Sequence, residues 1–189
     1  QPAPAAATWF ADVAGQAVLA SEVDVLRQAA LERPGQTGLW LCPSGMGEGE
    51  ITLPLLRLRA ALHGFEGDVR CSLPLPLPSE SVGNLILQHA VDDGSHALLE
   101  ECVRVLVPGG RLWLFTLNPF SPYRLRWRGT SLVPRAPGFW QARLRCLGLT
   151  GAPTTCLGPL WRPDAPVFSP GRLRATCLLE GEKRSAALI

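Results

Sequence analysis

Apolar residues recur at helical spacing early in the chain. Between Thr8 and about Leu31, the positions Val18, Leu19, Val23, Leu26 and Ala30 fall close to every third or fourth residue, while Glu22, Asp24 and Arg27 occupy the others. The pattern predicts an amphipathic helix, broken near Gly15 and ended by Pro34-Gly35. Gly38 to Cys42 then reads as a short buried strand. Beyond it Leu56 and Leu58 alternate with Arg57 and Arg59, which predicts a strand with one wet side, and Pro54 argues against a helix interior. Between Gly49 and Asp68 the reading places one strand and one tight turn.

In the middle of the chain, LPLPLPSES is held extended by its prolines and leads into Val82–Leu87, apolar enough to be buried on both faces. Ser95 is the expected cap of a helix that puts Leu98, Leu99, Cys102, Val103 and Leu106 on one side. Pro108-Gly109-Gly110 is the expected stop, and Arg111 to Asn118 the next strand. Strand, helix, turn and strand make a βαβ unit, so its strands should pair parallel in an α/β sheet. Chemistry then belongs at the carboxyl ends of the strands. That rim holds the loop after Cys42, the Gln88-His89 corner and the Asn118-Pro119 corner.

Composition narrows the classes. With 189 residues, 47% hydrophobic and 18% charged, the chain suits one domain over 1–189, its Ala/Pro-rich opening at 1–7 a loose end. No apolar run approaches the roughly 18 residues that cross a bilayer, and the opening has neither a basic leader nor a long apolar stretch. A cytoplasmic protein is expected. The six cysteines form no C-x-x-C pair and several sit in strand-like runs, which suits buried reduced thiols. The three histidines add no metal spacing, so no metal site is expected.

The net charge of +2 hides an asymmetry: residues up to Glu100 carry 5 basic and 12 acidic side chains, those beyond it 13 and 4. Tyr123-Arg124-Leu125-Arg126-Trp127-Arg128 mixes arginines with aromatics, as surfaces that hold phosphates and stack bases do. A solvated arginine-rich surface with half-buried aromatics is the preferred reading over nucleic-acid binding, since no nucleic-acid module is present. A serine hydrolase is disfavoured as well, because there is no G-x-S-x-G elbow.

The stretch LWLCPSGMGEGE sets Gly45, Gly47 and Gly49 after a strand, where bare backbone can approach a ligand closely. Together with LPLPSESVGNLILQHAVDDGSHALLEECVRVLVPGGRLWLFTLNP, it resembles the class I S-adenosylmethionine-dependent methyltransferases, the small bacterial type 11 kind. The Leu-Pro-rich entry to a strand, the His at its end and the Leu-x-Pro-Gly-Gly-x-Leu piece carry the likeness. Thr8-Trp9-Phe10 with Gly15 and Glu22, LNPFSPYRLRW after the next strand, and the ending RATCLLEGEKRSAALI extend it over most of the chain. The resemblance implies a three-layer α/β/α Rossmann-like methyltransferase fold, mainly parallel, shortened around its second strand. It also implies a C-terminal antiparallel hairpin of about Thr154–Leu160 and Leu173–Glu180.

By the same resemblance the cofactor is S-adenosylmethionine, faced by Ser44, Gly45, Gly47, Gly49, Ser72, Leu73, Gln88 and His89, with a methyl acceptor and a protein partner left to identify. Three carboxylates usual in that family are missing: Pro43 precedes the glycines, Arg57 and Arg59 occupy the second strand, and Cys71-Ser72 stand near the adenine region. A hydrogen bond to a charged acceptor is worth roughly 1.5–3 kcal/mol, so losing two weakens binding on the order of a hundredfold or more. A methyltransferase-like binding or assembly protein without catalysis is therefore the alternative, and an RNA-associated protein using Arg124, Arg126, Arg128 and Trp127 is a weaker third reading. Asp92 and Asp93 could pair as acid and base, although adjacent acids more often cap a helix or face water. Asn118-Pro119-Phe120 resembles an amine-gripping loop but follows the wrong strand for that role.

Overall fold

The structure is a computed structural model that describes residues 9–43, 45–46, 51–61, 64–94, 96–151, 154–163 and 171–184. Helix α1 (Val13–Leu31) precedes strand β1 (Gly38–Cys42). Strands β2 (Leu56–Ala61) and β3 (Gly64–Gly67) follow, then β4 (Val82–Gln88), α2 (Ala97–Val105) and β5 (Leu106–Leu117). A 3-10 helix (Pro122–Arg126), α3 (Pro137–Cys146), β6 (Leu149–Gly151), β7 (Thr155–Leu157) and β8 (Thr176–Lys183) complete the order.

The strands form one sheet ordered β3-β2-β1-β4-β5-β8-β6, with β7 also on β8. β2, β1, β4 and β5 are mutually parallel, and Leu85 sits opposite Leu112. β8 runs antiparallel to β5, and β6 and β7 both pair with it antiparallel. Alternation along the strands divides the apolar residues between two layers. Trp40, Ile86, Trp113 and Phe115 pack under α1 with Val18, Leu19 and Leu26. Leu39, Leu85, Leu87 and Leu114 pack against Leu98, Leu99 and Cys102 of α2 and Trp140 and Leu144 of α3. A central strand covered on both faces must be apolar throughout, and every residue of β1 and β4 is buried. The result is the expected three-layer α/β/α sheet, with the final hairpin in β7 and β8.

Four local expectations change. The N-terminal helix is interrupted at Asp12 rather than Gly15, with 9–11 forming a separate helical turn. Glu22 lies on the buried face of α1 and Val23 is half-exposed, the reverse of the sequence reading. The region before Asp68 holds a hairpin of two strands rather than one, because Phe65 of β3 can enter the core when Ala60 pairs with it. Helix α2 ends at Val105, ahead of Pro108-Gly109-Gly110; the glycines lie in a bulge of β5, where the register steps from Val82↔Leu106 to Asn84↔Arg111. Ser95 lies outside the described residues.

Candidate functional site

β1 and β4 are neighbours, with Leu41 opposite Leu87, so the chain leaving Cys42 passes the end of β4. Gly45 has φ 108°, a conformation that side chains disfavour. The Gln16 amide ties this loop to α1, donating at 2.6 Å to the carbonyl of Phe10 and at 3.4 Å to that of Gly45. Met46 is buried in the layer under α1. Ser44, Gly47 and Gly49 lie outside the described residues.

Gln88 and His89 form the centre of a buried polar cluster. The Trp40 indole N–H donates to Gln88 Oε1 at 3.1 Å, and Gln88 Nε2 donates to Glu22 Oε2 at 2.8 Å. Glu22 Oε1 meets His89 Nε2 at 2.8 Å and accepts from the Thr176 hydroxyl at 2.6 Å. His89 Nδ1 lies 2.7 Å from Asp92 Oδ2, which also accepts from the Leu117 amide at 2.9 Å. Five elements thus converge: α1 supplies Glu22, β1 Trp40, the β4 corner Gln88 to Asp92, β5 the Leu117 amide, and β8 Thr176. His89 adopts φ 51°, and the Phe10 ring lies against its imidazole at 4.8 Å between centroids.

The electrostatics follow from burial and pairing. Desolvation opposes a charge on His89, but the Glu22 carboxylate and the hydrogen bonds that the ring donates to Asp92 and Glu22 outweigh it and push the imidazole pKa up to about 10. His89 is therefore an imidazolium held by two carboxylates near neutral pH. With both ring nitrogens engaged and the proton tightly held, it is unsuited to act as a general base. The cluster locks α1 to the sheet edge where β4 ends.

The other predicted residues are dispersed. Cys71 pairs with Phe65 through two backbone hydrogen bonds, of 2.7 and 3.0 Å, so Ser72 and Leu73 follow along the β3 edge of the sheet. Between β3 and β4 stand β2 and β1, a separation of roughly 14 Å at ordinary strand spacing. Asp92 is buried against His89 whereas Asp93 is exposed, so the two do not face one another. Asn118 Nδ2 donates to the carbonyls of Arg172 and Arg174 at 2.9 and 2.8 Å, and its Oδ1 accepts from the Phe120 amide at 3.0 Å. This residue holds a loop, with both its amide hydrogens committed to backbone carbonyls and its oxygen engaged by the Phe120 amide. Tyr123 and Trp127 are buried while Arg124, Arg126 and Arg128 are exposed, so the arginine run presents no stacking platform with its aromatics. Glu22 and Thr176 are the participants that sequence reasoning missed. A carboxylate at the i+3 and i+4 positions of Leu19 and Val18 was the available signal.

Solved structures share this arrangement across nearly the whole chain. A chain from the complex between the Haloferax volcanii Trm112 methyltransferase activator and a methyltransferase superposes with TM-score 0.57 at 15% identity, covering 97% of this chain and 100% of its own. An S-adenosylmethionine-dependent methyltransferase from Thermotoga maritima gives 0.59 at 16% identity, covering 94% of each chain. One from Archaeoglobus fulgidus gives 0.53 at 13% identity, covering 85% and 92%. The fold is that of the class I S-adenosylmethionine-dependent methyltransferases. No protein-family model matches the sequence, and no curated protein matches it. Within this methyltransferase fold, the positions without the usual acids carry other work. Arg57 of β2 lies over the Trp40 ring at 5.2 Å, and Arg59 pairs in register with Cys42. The carboxylates nearest the Gln88-His89 corner are instead Glu22 and Asp92. Among the described residues, no helix is long and apolar enough to cross a membrane, and no group of three His, Cys, Asp or Glu could hold a metal ion.

Proposed function

We propose that the protein is a cytoplasmic S-adenosylmethionine-dependent methyltransferase with a weakened hold on its methyl donor and an acceptor still to be identified. The observation that carries this reading is the parallel adjacency of β1 and β4, which sets the Gly45 loop beside the Gln88-His89 corner at the carboxyl rim of a methyltransferase fold. The donor-facing set is Ser44, Gly45, Gly47, Gly49, Gln88 and His89, with Ser72 and Leu73 standing apart from it along the β3 edge. The fit is through backbone more than side chains. Gln88 and His89 already bond to Trp40, Glu22 and Asp92, and the described residues at the ends of β1 and β2 offer no carboxylate for ribose hydroxyls. S-adenosylmethionine would supply an electrophilic methyl group. The chain's own contribution would be to position an acceptor in line with it, because methyl transfer to a good nucleophile needs placement more than a strong base. A structural neighbour solved with an activator protein supports looking for a partner that completes the rim.

One observation favours a second reading, a methyltransferase-like assembly protein without catalysis. Trp40, Met46, Gln88 and His89 are all buried, so side chains of the protein fill the rim. Calorimetric titration with S-adenosylhomocysteine separates the two. Saturable heat in the micromolar to millimolar range supports a weak methyltransferase; no heat at millimolar ligand leaves the assembly reading.

A further inference from the structure

Cys156 of β7 and Cys177 of β8 are 21 residues apart in sequence and directly opposite in the antiparallel pair, with Sγ atoms 3.2 Å apart. We propose that these two thiols form a reversible dithiol–disulfide site that reacts with low-molecular-weight disulfides of the glutathione type. The geometry carries this. Residues directly opposite in antiparallel strands have Cα atoms about 4.5–5.5 Å apart, inside the roughly 4.4–6.8 Å that a disulfide spans. The thiols already touch, so closure needs rotation about the side-chain torsions and little strand movement.

Exposure assigns the roles. β6 and β7 lie end to end along the outer side of β8, and Cys156 on this edge is partly exposed while Cys177 is buried. Cys156 is the sulfur an incoming reagent reaches, and Cys177 is the one that resolves. The hydrogen bond with Cys177 brings the Cys156 pKa down to about 7 against the opposing effect of burial, whereas that same bond and burial raise Cys177. The Cys156 thiolate attacks one sulfur of the small disulfide, forming a mixed disulfide and releasing one thiolate. Cys177 loses its proton and attacks Sγ of Cys156, releasing the second small thiol. The protein gives up two electrons and its two thiol hydrogens, and the reagent's S–S bond is reduced to two thiols. Neither sulfur lies in the Glu22–His89 cluster, and the site stands apart from any methyl transfer. It adjoins that cluster through Thr176, the residue before Cys177, whose hydroxyl donates to Glu22, and the Asp92 carboxylate adds to the rise in the Cys177 pKa.

The full chain carrying Cys146→Ser, so that the tryptic peptide with Cys156 holds one cysteine, is incubated with glutathione disulfide, quenched by alkylation and mapped by mass spectrometry. The expected product has lost two hydrogens and links the Cys156 and Cys177 peptides. In the same background Cys177→Ser should accumulate glutathione on Cys156, with a mixed disulfide lasting at least tenfold longer than when Cys177 is present. Cys156→Ser should show neither product. Circular dichroism verifies that each variant is folded. A glutathione adduct on Cys156 that persists equally with and without Cys177, a link mapping to other cysteines, or complete alkylation of both thiols after oxidation would overturn the proposal.

Discussion

Glu22 and His89 stand 67 residues apart in sequence and meet at 2.8 Å with no solvent on either side chain. The contact joins the middle of α1 to the end of β4. Breaking one partner of a buried ion pair leaves the other uncompensated, at a cost of ~3–5 kcal/mol. Glu22→Gln does more than remove a charge, since its new amide would place a donor where the carboxylate now accepts from the Gln88 amide or from His89. We expect a loss of ~3 kcal/mol or more in urea unfolding at neutral pH, with an unchanged m value. A loss below ~1 kcal/mol would show that the pair contributes little.

The same pair gives stability a pH dependence. The folded pKa of His89 is raised from 6.5 to about 10, with Glu22 and Asp92 overcoming the effect of desolvation. Below pH 6.5 folded and unfolded chains are both protonated there and the contribution is complete. As pH rises the unfolded chain releases the proton first, so stability declines through the window up to about 10. Denaturation midpoints measured between pH 6 and 9 should fall steadily in the wild type. Glu22→Gln, without the strongest raising influence, should flatten that slope. A wild-type midpoint constant over this range would contradict a protonated His89.

The contrast between what the chain showed in advance and what it withheld has a physical origin. β4 and the later part of β5 were legible because strands buried on both faces are apolar without interruption, and the likeness to known methyltransferases brought Gln88 and His89 to the rim. The partners of His89 were not legible. Glu22 belongs to the apolar stripe by position and was assigned to the wet face by chemistry, since a lone carboxylate there has meaning only once His89 and Thr176 are seen beside it. β3 carries two glycines in four residues and gives no alternation. α3 buries only Trp140 and Leu144, a helical signal of two positions. The pairing of Cys156 with Cys177 depends on strand register, which spacing alone does not encode.

Gly15 offers a test in which two effects have opposite signs. Alanine in a helix interior is favoured over glycine by ~0.5–1 kcal/mol. Here, though, a Cβ would stand 2.3 Å from the Trp9 carbonyl oxygen and 2.6 Å from the Phe10 Cα, both backbone atoms that cannot swing away. Trp9 and Phe10 are themselves buried, the first donating to the Arg126 carbonyl and the second covering His89. Overpacking should win, at ~1–3 kcal/mol net. Gly15→Ala is expected to lower Tm by about 3–8 °C and to alter tryptophan fluorescence as the turn at 9–11 is displaced. An increase in Tm would show that the turn yields freely.

Asn118 separates a structural role from a substrate-gripping one. Its amide nitrogen donates to two carbonyls, those of Arg172 and Arg174, while its oxygen accepts from the Phe120 amide. Asn118→Ala removes three hydrogen bonds and leaves carbonyls short of a partner, which should cost ~2–4 kcal/mol. Asn118→Asp is nearly isosteric and keeps the bond from Phe120, yet it turns an acceptor toward the two carbonyls. It should be at least as destabilising as the alanine change at neutral pH. The deficit should shrink on acidification, because a carboxyl whose ionised form is disfavoured in the folded chain has a raised folded pKa, and once protonated it can donate to one carbonyl. Stability curves of both variants between pH 3 and 7 test this. If Asn118→Asp unfolds like the wild type throughout, the side chain is not holding the segment at Arg172 to Arg174.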